Sequence, residues 1–151
     1  NNLEDVVVVS NKKNLNFINK NVLKVVPKNI VIGIGCRKNI DKEYMINSLF
    51  DFLHKQNIDI NSINAIGSID IKKNEEALIS LSKYLDVPFK TFTSEEISKV
   101  EYLYEKSDWV KQNVGVHCVA EPVAHLLSDG NLIIKKHKYK GITFSVGRIN
   151  R

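Results

Sequence analysis

Residues 30–37 read IVIGIGCR, and the reading of this octet decides the fold. Ile30, Val31, Ile32 and Ile34 are branched at Cβ, which stiffens χ1 and favours an extended backbone. Apolar residues point to both faces, as in a central strand of a parallel sheet covered by helices. The run stops at Gly33 and Gly35 and passes directly to a thiol, Cys36, and a guanidinium, Arg37.

Three chemistries compete for that strand end. A dinucleotide cradle needs a third glycine, where this chain has Lys38, and an acidic residue at the end of the second strand, where this chain carries Gly67-Ser68; no Gly-Lys-Ser/Thr exists either. A catalytic thiol would be Cys36, its pKa lowered by a following helix and Arg37, with His117 as base; otherwise Cys36 packs at a tight turn. The third reading is an anion-receiving rim. Gly35 lets a ligand approach the chain, the next helix offers free amides, and Arg37 can grip a carboxylate with two donors. The rim asks least of unseen geometry and is preferred.

Outward from the octet, strand and helix patterns alternate. Met45, Leu49, Phe52 and Leu53 recur at helical spacing within residues 41–57, with the cap at Asn39 or Asp41. INAIGSI (63–69) is a second strand, and NEEALISLSKYL (74–85) a helix with Asn74 as N-cap. PFKTF (88–92) is a third strand, followed by Thr93 and Glu96 in capping-box spacing. Ser107 caps a short helix through DWVKQN, CVAEPVAHLLSDG (118–130) is a helix closed by Gly130, and residues 131–149 form a hairpin turning at Lys140-Gly141. The expected fold is a three-layer α/β/α domain over residues 30–151, its sheet mixed, mostly parallel and ending in an antiparallel hairpin. Residues 1–29 hold one short strand, a polar loop and a Pro-bearing connector, and read as a linker or the tail of a preceding domain.

Length and composition narrow the class. The 151 residues suit one domain, and 43% hydrophobic with 26% charged residues suits a globular one. With no bilayer-length apolar run and no signal-peptide pattern, the expectation is a cytoplasmic protein away from membranes. Cys36 and Cys118 are too few for a disulfide framework. The net charge of +5 fits an acidic small molecule, whereas the scattered lysines do not form a nucleic-acid stripe.

Ligands of open sheets sit beyond the carboxyl ends of the strands. Binding candidates there are Gly33, Gly35, Arg37, Lys38, Ser68, Lys72 and Glu75, with Lys136 a further cation. Catalytic candidates are Asp70, Glu121, His117 and Cys36. Each has a plainer reading. SIDIKKNE (68–75) can be a solvated loop, and Glu121 can complete a capping box with Cys118. His54, His117, His125 and His137 lack zinc-ligand spacing with the cysteines, so no protein-held metal is expected.

Five stretches, GIGCRK (33–38), SIDIKKNE (68–75), FTSEE (92–96), VGVHCVAEPVA (114–124) and KYKGITFSVGRI (138–149), resemble in their order the C-terminal domain family of the cobalamin-biosynthesis proteins CbiG and CobE. The resemblance implies work on an anionic cobalt-corrin intermediate: opening the δ-lactone of cobalt-precorrin-5A, releasing acetaldehyde and giving cobalt-precorrin-5B. It implies that cobalt arrives with the substrate, with no cofactor beside it, and that further N-terminal domains belong to the same protein. The CobE likeness also allows a non-catalytic corrin-binding module. The chain departs from the family in Asn39-Ile40-Asp41, where Gly and Thr/Ser are common, and in His117, where small or imino residues are.

Overall fold

In a computed structural model of the chain, residues 4–13, 20–104 and 119–150 are described. The segment before Ile30 holds β1 (Glu4–Val9) and β2 (Lys20–Val25), paired in parallel as a two-stranded sheet. β2 corrects the expectation of irregular chain there. Its lysines and asparagine hid a strand whose ladder partner is the valine-rich β1. The intervening chain is tied to the loop before the second core strand, where the Asp59 N–H donates to the Asn11 carbonyl at 2.6 Å.

β3 (Ile30–Cys36) is buried along Ile30–Ile34, as its β-branched pattern demands. Ile30, Ile32 and Ile34 enter one core. The alternate positions Val31, Gly33 and Gly35 face the other side of the sheet. The chain turns through Asn39 and enters α1 (Lys42–Lys55), whose N-cap is Asp41; its carboxylate accepts the Tyr44 N–H at 2.8 Å. Met45, Leu49, Phe52 and Leu53 are its buried stripe. Phe52 stacks on Phe144 with ring centroids 5.4 Å apart. Burying such a ring contributes about 1.5–3 kcal/mol.

β4 (Ile63–Ile69) follows, and a 3₁₀ turn over Asp70–Lys72 leads to α2 (Glu76–Leu85). Its N-cap is Glu75 rather than Asn74. Asn39 and Lys72 hold the Glu75 carboxylate, so the chain is still extended at 75. β5 (Phe89–Phe92) precedes α3 (Ser94–Glu101), which starts with the expected capping box: Thr93 Oγ1 accepts from Glu96 and Glu96 Oε1 from Thr93. α4 (Ala120–Ser128) ends at Asp129 and Gly130, both with positive φ. β6 (Leu132–Tyr139) and β7 (Ile142–Arg148) form the hairpin, with Gly141 at φ 80° in its turn. The helix expected after Ser107 lies outside the described residues.

The larger sheet runs β5-β4-β3-β7-β6. β3, β4 and β5 are mutually parallel, β7 opposes β3, and β6 opposes β7. Four strands therefore share one direction, with β7 reversed among them. α1 and α2 cover one face through the Ile32, Leu49, Leu78 and Phe144 core. α3 and α4 cover the other through Ile69, Ile97 and Val123. The three-layer reading of the sequence holds. Among the described residues, no helix is long and apolar enough to cross a membrane.

Candidate functional site

Where β3 ends, backbone geometry gathers charge. Asn39 adopts φ 59°, a left-handed conformation that asparagine tolerates better than most residues. Its N–H donates to Glu75 Oε2 at 3.0 Å, and Lys72 Nζ lies 3.7 Å from Glu75 Oε1. This pair is well withdrawn from water, with side chains 14% and 8% exposed. Arg37 and Lys38 beside it are exposed. The Arg37 N–H donates to the Gly141 carbonyl at 3.0 Å, and the Arg37 side chain lies over that hairpin turn. A shallow cavity of about 240 Å³ opens beyond, lined by Asn39, Ile40, Asp41, Lys42, Glu76 and Ala77.

Cys36 sits at this strand end without an activated thiol. Burial pushes its pKa up to about 11, against a smaller pull downward by Lys72 and a further push upward by Glu75. The expected lowering fails for a geometric reason. α1 begins only at Lys42, and a helix terminus acts within about one turn. Ser68, expected at the rim, is fully buried and donates to the Ile34 carbonyl at 2.7 Å, tying β4 to β3. Gly33, also expected there, lies under α4, where a Cβ would overlap the Ala120 carbonyl oxygen. Gly35 is half-buried, with ordinary space to Val119. Asp70 opens the 3₁₀ turn at the end of β4, half-exposed. Arg37, Lys38, Lys72, Glu75 and Cys36 thus gather around the end of β3, while Gly33 and Ser68 are interior. His117 and Cys118 lie outside the described residues.

Glu121 stands in the other layer, on α4, and is only 3% exposed. Its Oε2 accepts the Lys136 N–H at 3.0 Å. β6 pairs Ile134 with Val146 and His137 with Phe144, so it carries one extra residue between those positions, a β-bulge. The carboxylate meets an N–H within that bulge, which corrects the capping-box reading of Glu121. Its Oε1 is buried with no hydrogen-bond partner among the described residues. Leaving a buried acceptor unmet costs about 1–3 kcal/mol. Glu121 also lines a cavity of about 250 Å³ with Leu103, Tyr104, Lys135 and Lys136. Close by, Tyr104 Oη and His125 Nδ1 share a 2.6 Å hydrogen bond. Tyr104 escaped the sequence reading because no local pattern marks it, and the sequence marks Asn39 only as a candidate helix cap. Among the described residues, no group of three or more His, Cys, Asp or Glu is placed to hold a metal ion.

An open three-layer α/β sheet with Arg37, Lys38 and Lys72 at its strand ends defines a domain class suited to anionic ligands at its carboxyl edge. Within that class, the chain belongs to the family described as "Cobalamin synthesis G C-terminus", whose model matches residues 30–147. It is 36% identical over 145 residues to the cobalt-precorrin-5A hydrolase of Salmonella typhimurium, covering 96% of this chain and 41% of that one. To the probable cobalt-precorrin-5A hydrolase of Methanocaldococcus jannaschii it is 27% identical over 139 residues, covering 85% and 43%. The chain therefore spans less than half the length of these relatives. The crystal structure of CobE, a protein from the cobalamin (vitamin B12) biosynthetic pathway, shares the fold, with a TM-score of 0.73 at 23% identity over 80% of this chain and 90% of that one.

Proposed function

We propose that this chain is the C-terminal part of a cobalt-precorrin-5A hydrolase, which acts in the cytoplasm on the anaerobic route to cobalamin. It opens the substrate's δ-lactone and releases acetaldehyde to give cobalt-precorrin-5B. The 36% identity over 145 residues to the Salmonella hydrolase carries this reading. The chemistry of the strand ends agrees with it. A corrin precursor bears several carboxylates, and Arg37 can take one with a two-donor fork while Lys38 supplies a mobile second charge. Lys72 is nearly buried and already paired, so it contributes field rather than a flexible grip. Cobalt enters with the substrate, and the domain brings no cofactor of its own. The domains that precede this one in the relatives complete the enzyme.

The test is to give the full-length protein cobalt-precorrin-5A under anaerobic conditions and assay acetaldehyde. One equivalent per substrate consumed supports the reading. Binding without acetaldehyde would instead indicate a module that only holds the intermediate.

A further inference from the structure

The carboxylates at the rim are engaged or exposed: Asp41 caps α1 through the Tyr44 N–H, Glu75 holds Asn39 and Lys72, and Glu76 stands in solvent beside Lys42. The Cys36 thiol is held neutral at ordinary pH. Asp70 is half-exposed on a turn outside both cavities. Glu121 differs from all of these. Its carboxylate is out of bulk water, one oxygen is fixed by the Lys136 N–H, and the other has no donor among the described residues. A group held this way keeps its orientation and retains lone pairs on the buried oxygen, which takes a proton from a water admitted to it through the adjoining cavity.

We infer that Glu121 is the general base of the hydrolysis, acting on a water in the cavity it shares with Leu103, Tyr104, Lys135 and Lys136. The inference rests on the hydrolase reading and adds the group that moves the proton. Glu121 removes one proton from water while the water oxygen bonds to the lactone carbonyl carbon. The ring C–O bond breaks, its electron pair leaving on the ring oxygen. The proton held by Glu121 passes to that oxygen, so one water is consumed, an acid and an alcohol form, and the carboxylate is restored.

The dimensions agree. About 250 Å³ admits a few waters or one arm of a macrocycle, but not the macrocycle itself. β6 lies two strands from β3, with β7 between them, a lateral offset of about 10 Å. Glu121 also stands in the layer opposite α1, so a corrin seated on Arg37 and Lys38 has to reach over the strand ends to place an arm in the cavity. Lactone opening creates a new carboxylate, and Lys135 and Lys136 border the place where it forms.

Glu121→Gln in the full-length protein is the test, since glutamine keeps the volume and an oxygen for the Lys136 N–H but is a poor proton acceptor. Acetaldehyde release at saturating cobalt-precorrin-5A should fall by about 100-fold or more. KM, and the affinity read from corrinoid absorbance, should stay within about twofold. An E121Q protein turning over within threefold of wild type overturns the assignment, as does a loss confined to KM. Leu103→Trp, at an exposed position on the cavity wall, serves where E121Q does not fold. It should block turnover and leave the corrinoid bound at the rim, and full activity of L103W overturns the proposal. A silent wild type sinks the hydrolase reading and this assignment together. An active wild type with an active E121Q sinks the assignment alone.

Discussion

Gly33 lies directly beneath the first turn of α4: a Cβ there would overlap the Ala120 carbonyl oxygen and stand 2.6 Å from the Ala124 nitrogen. Both neighbours are backbone, so neither can swing aside. Gly33→Ala should cost about 3 kcal/mol, the upper range for overpacking, and lower Tm by roughly 10 °C. Gly35→Ala meets nothing closer than 3.6 Å and should melt with the wild type. Thermal melts of both variants check this, and equal Tm values would show that the helix does not sit so close.

The Glu75 carboxylate holds two partners at once, the Asn39 N–H and Lys72. Glu75→Ala removes both contacts and leaves a nearly buried ammonium uncompensated. A loss of about 2 kcal/mol is expected, below the cost of breaking a fully buried pair. Lys72→Met in the same chain should restore part of it, because the uncompensated charge is gone. Urea unfolding of the two single variants and the double variant gives the coupling. Strictly additive losses would contradict a working pair.

Cys36 predicts a pH dependence with a definite sign. Its folded-state thiol titrates near 11, above its ordinary value of 9.0. The neutral thiol therefore favours folding below pH 9, and that contribution is lost as pH climbs from 9 toward 11. In a background with Cys118 replaced by serine, Cys36→Ser should lessen the loss of stability across that window. Alkylation of Cys36 by iodoacetamide should be slow at pH 7.5 and rise steeply above pH 9. Fast alkylation at neutral pH would mean an activated thiolate.

Much of the layer order was legible because it depends on periodicity. The isoleucines of β3, the Met45–Leu53 stripe and the Thr93–Glu96 box are local patterns with local causes. What stayed hidden depends on which way a residue faces. Gly33 and Gly35 look alike in sequence, yet only Gly33 lies where α4 must pass. Ser68 looks like a rim hydroxyl until strand register turns it toward the Ile34 carbonyl. Glu121 has the spacing of a cap, but a bulge two strands from β3 offers its carboxylate an N–H. A long-range partner of that kind leaves no trace in neighbouring residues. β2 was missed for a related reason, since its pairing with β1 outweighs its weak composition.

The most direct test of the rim as the seat of an acidic corrin is an absorbance titration of the full-length protein with cobalt-precorrin-5A, comparing wild type with Arg37→Ala/Lys38→Ala. Wild type should bind saturably, and the double variant should need at least about tenfold more ligand, the worth of losing roughly 1.4 kcal/mol of charge-assisted contact. Indistinguishable titrations of the two proteins would contradict it.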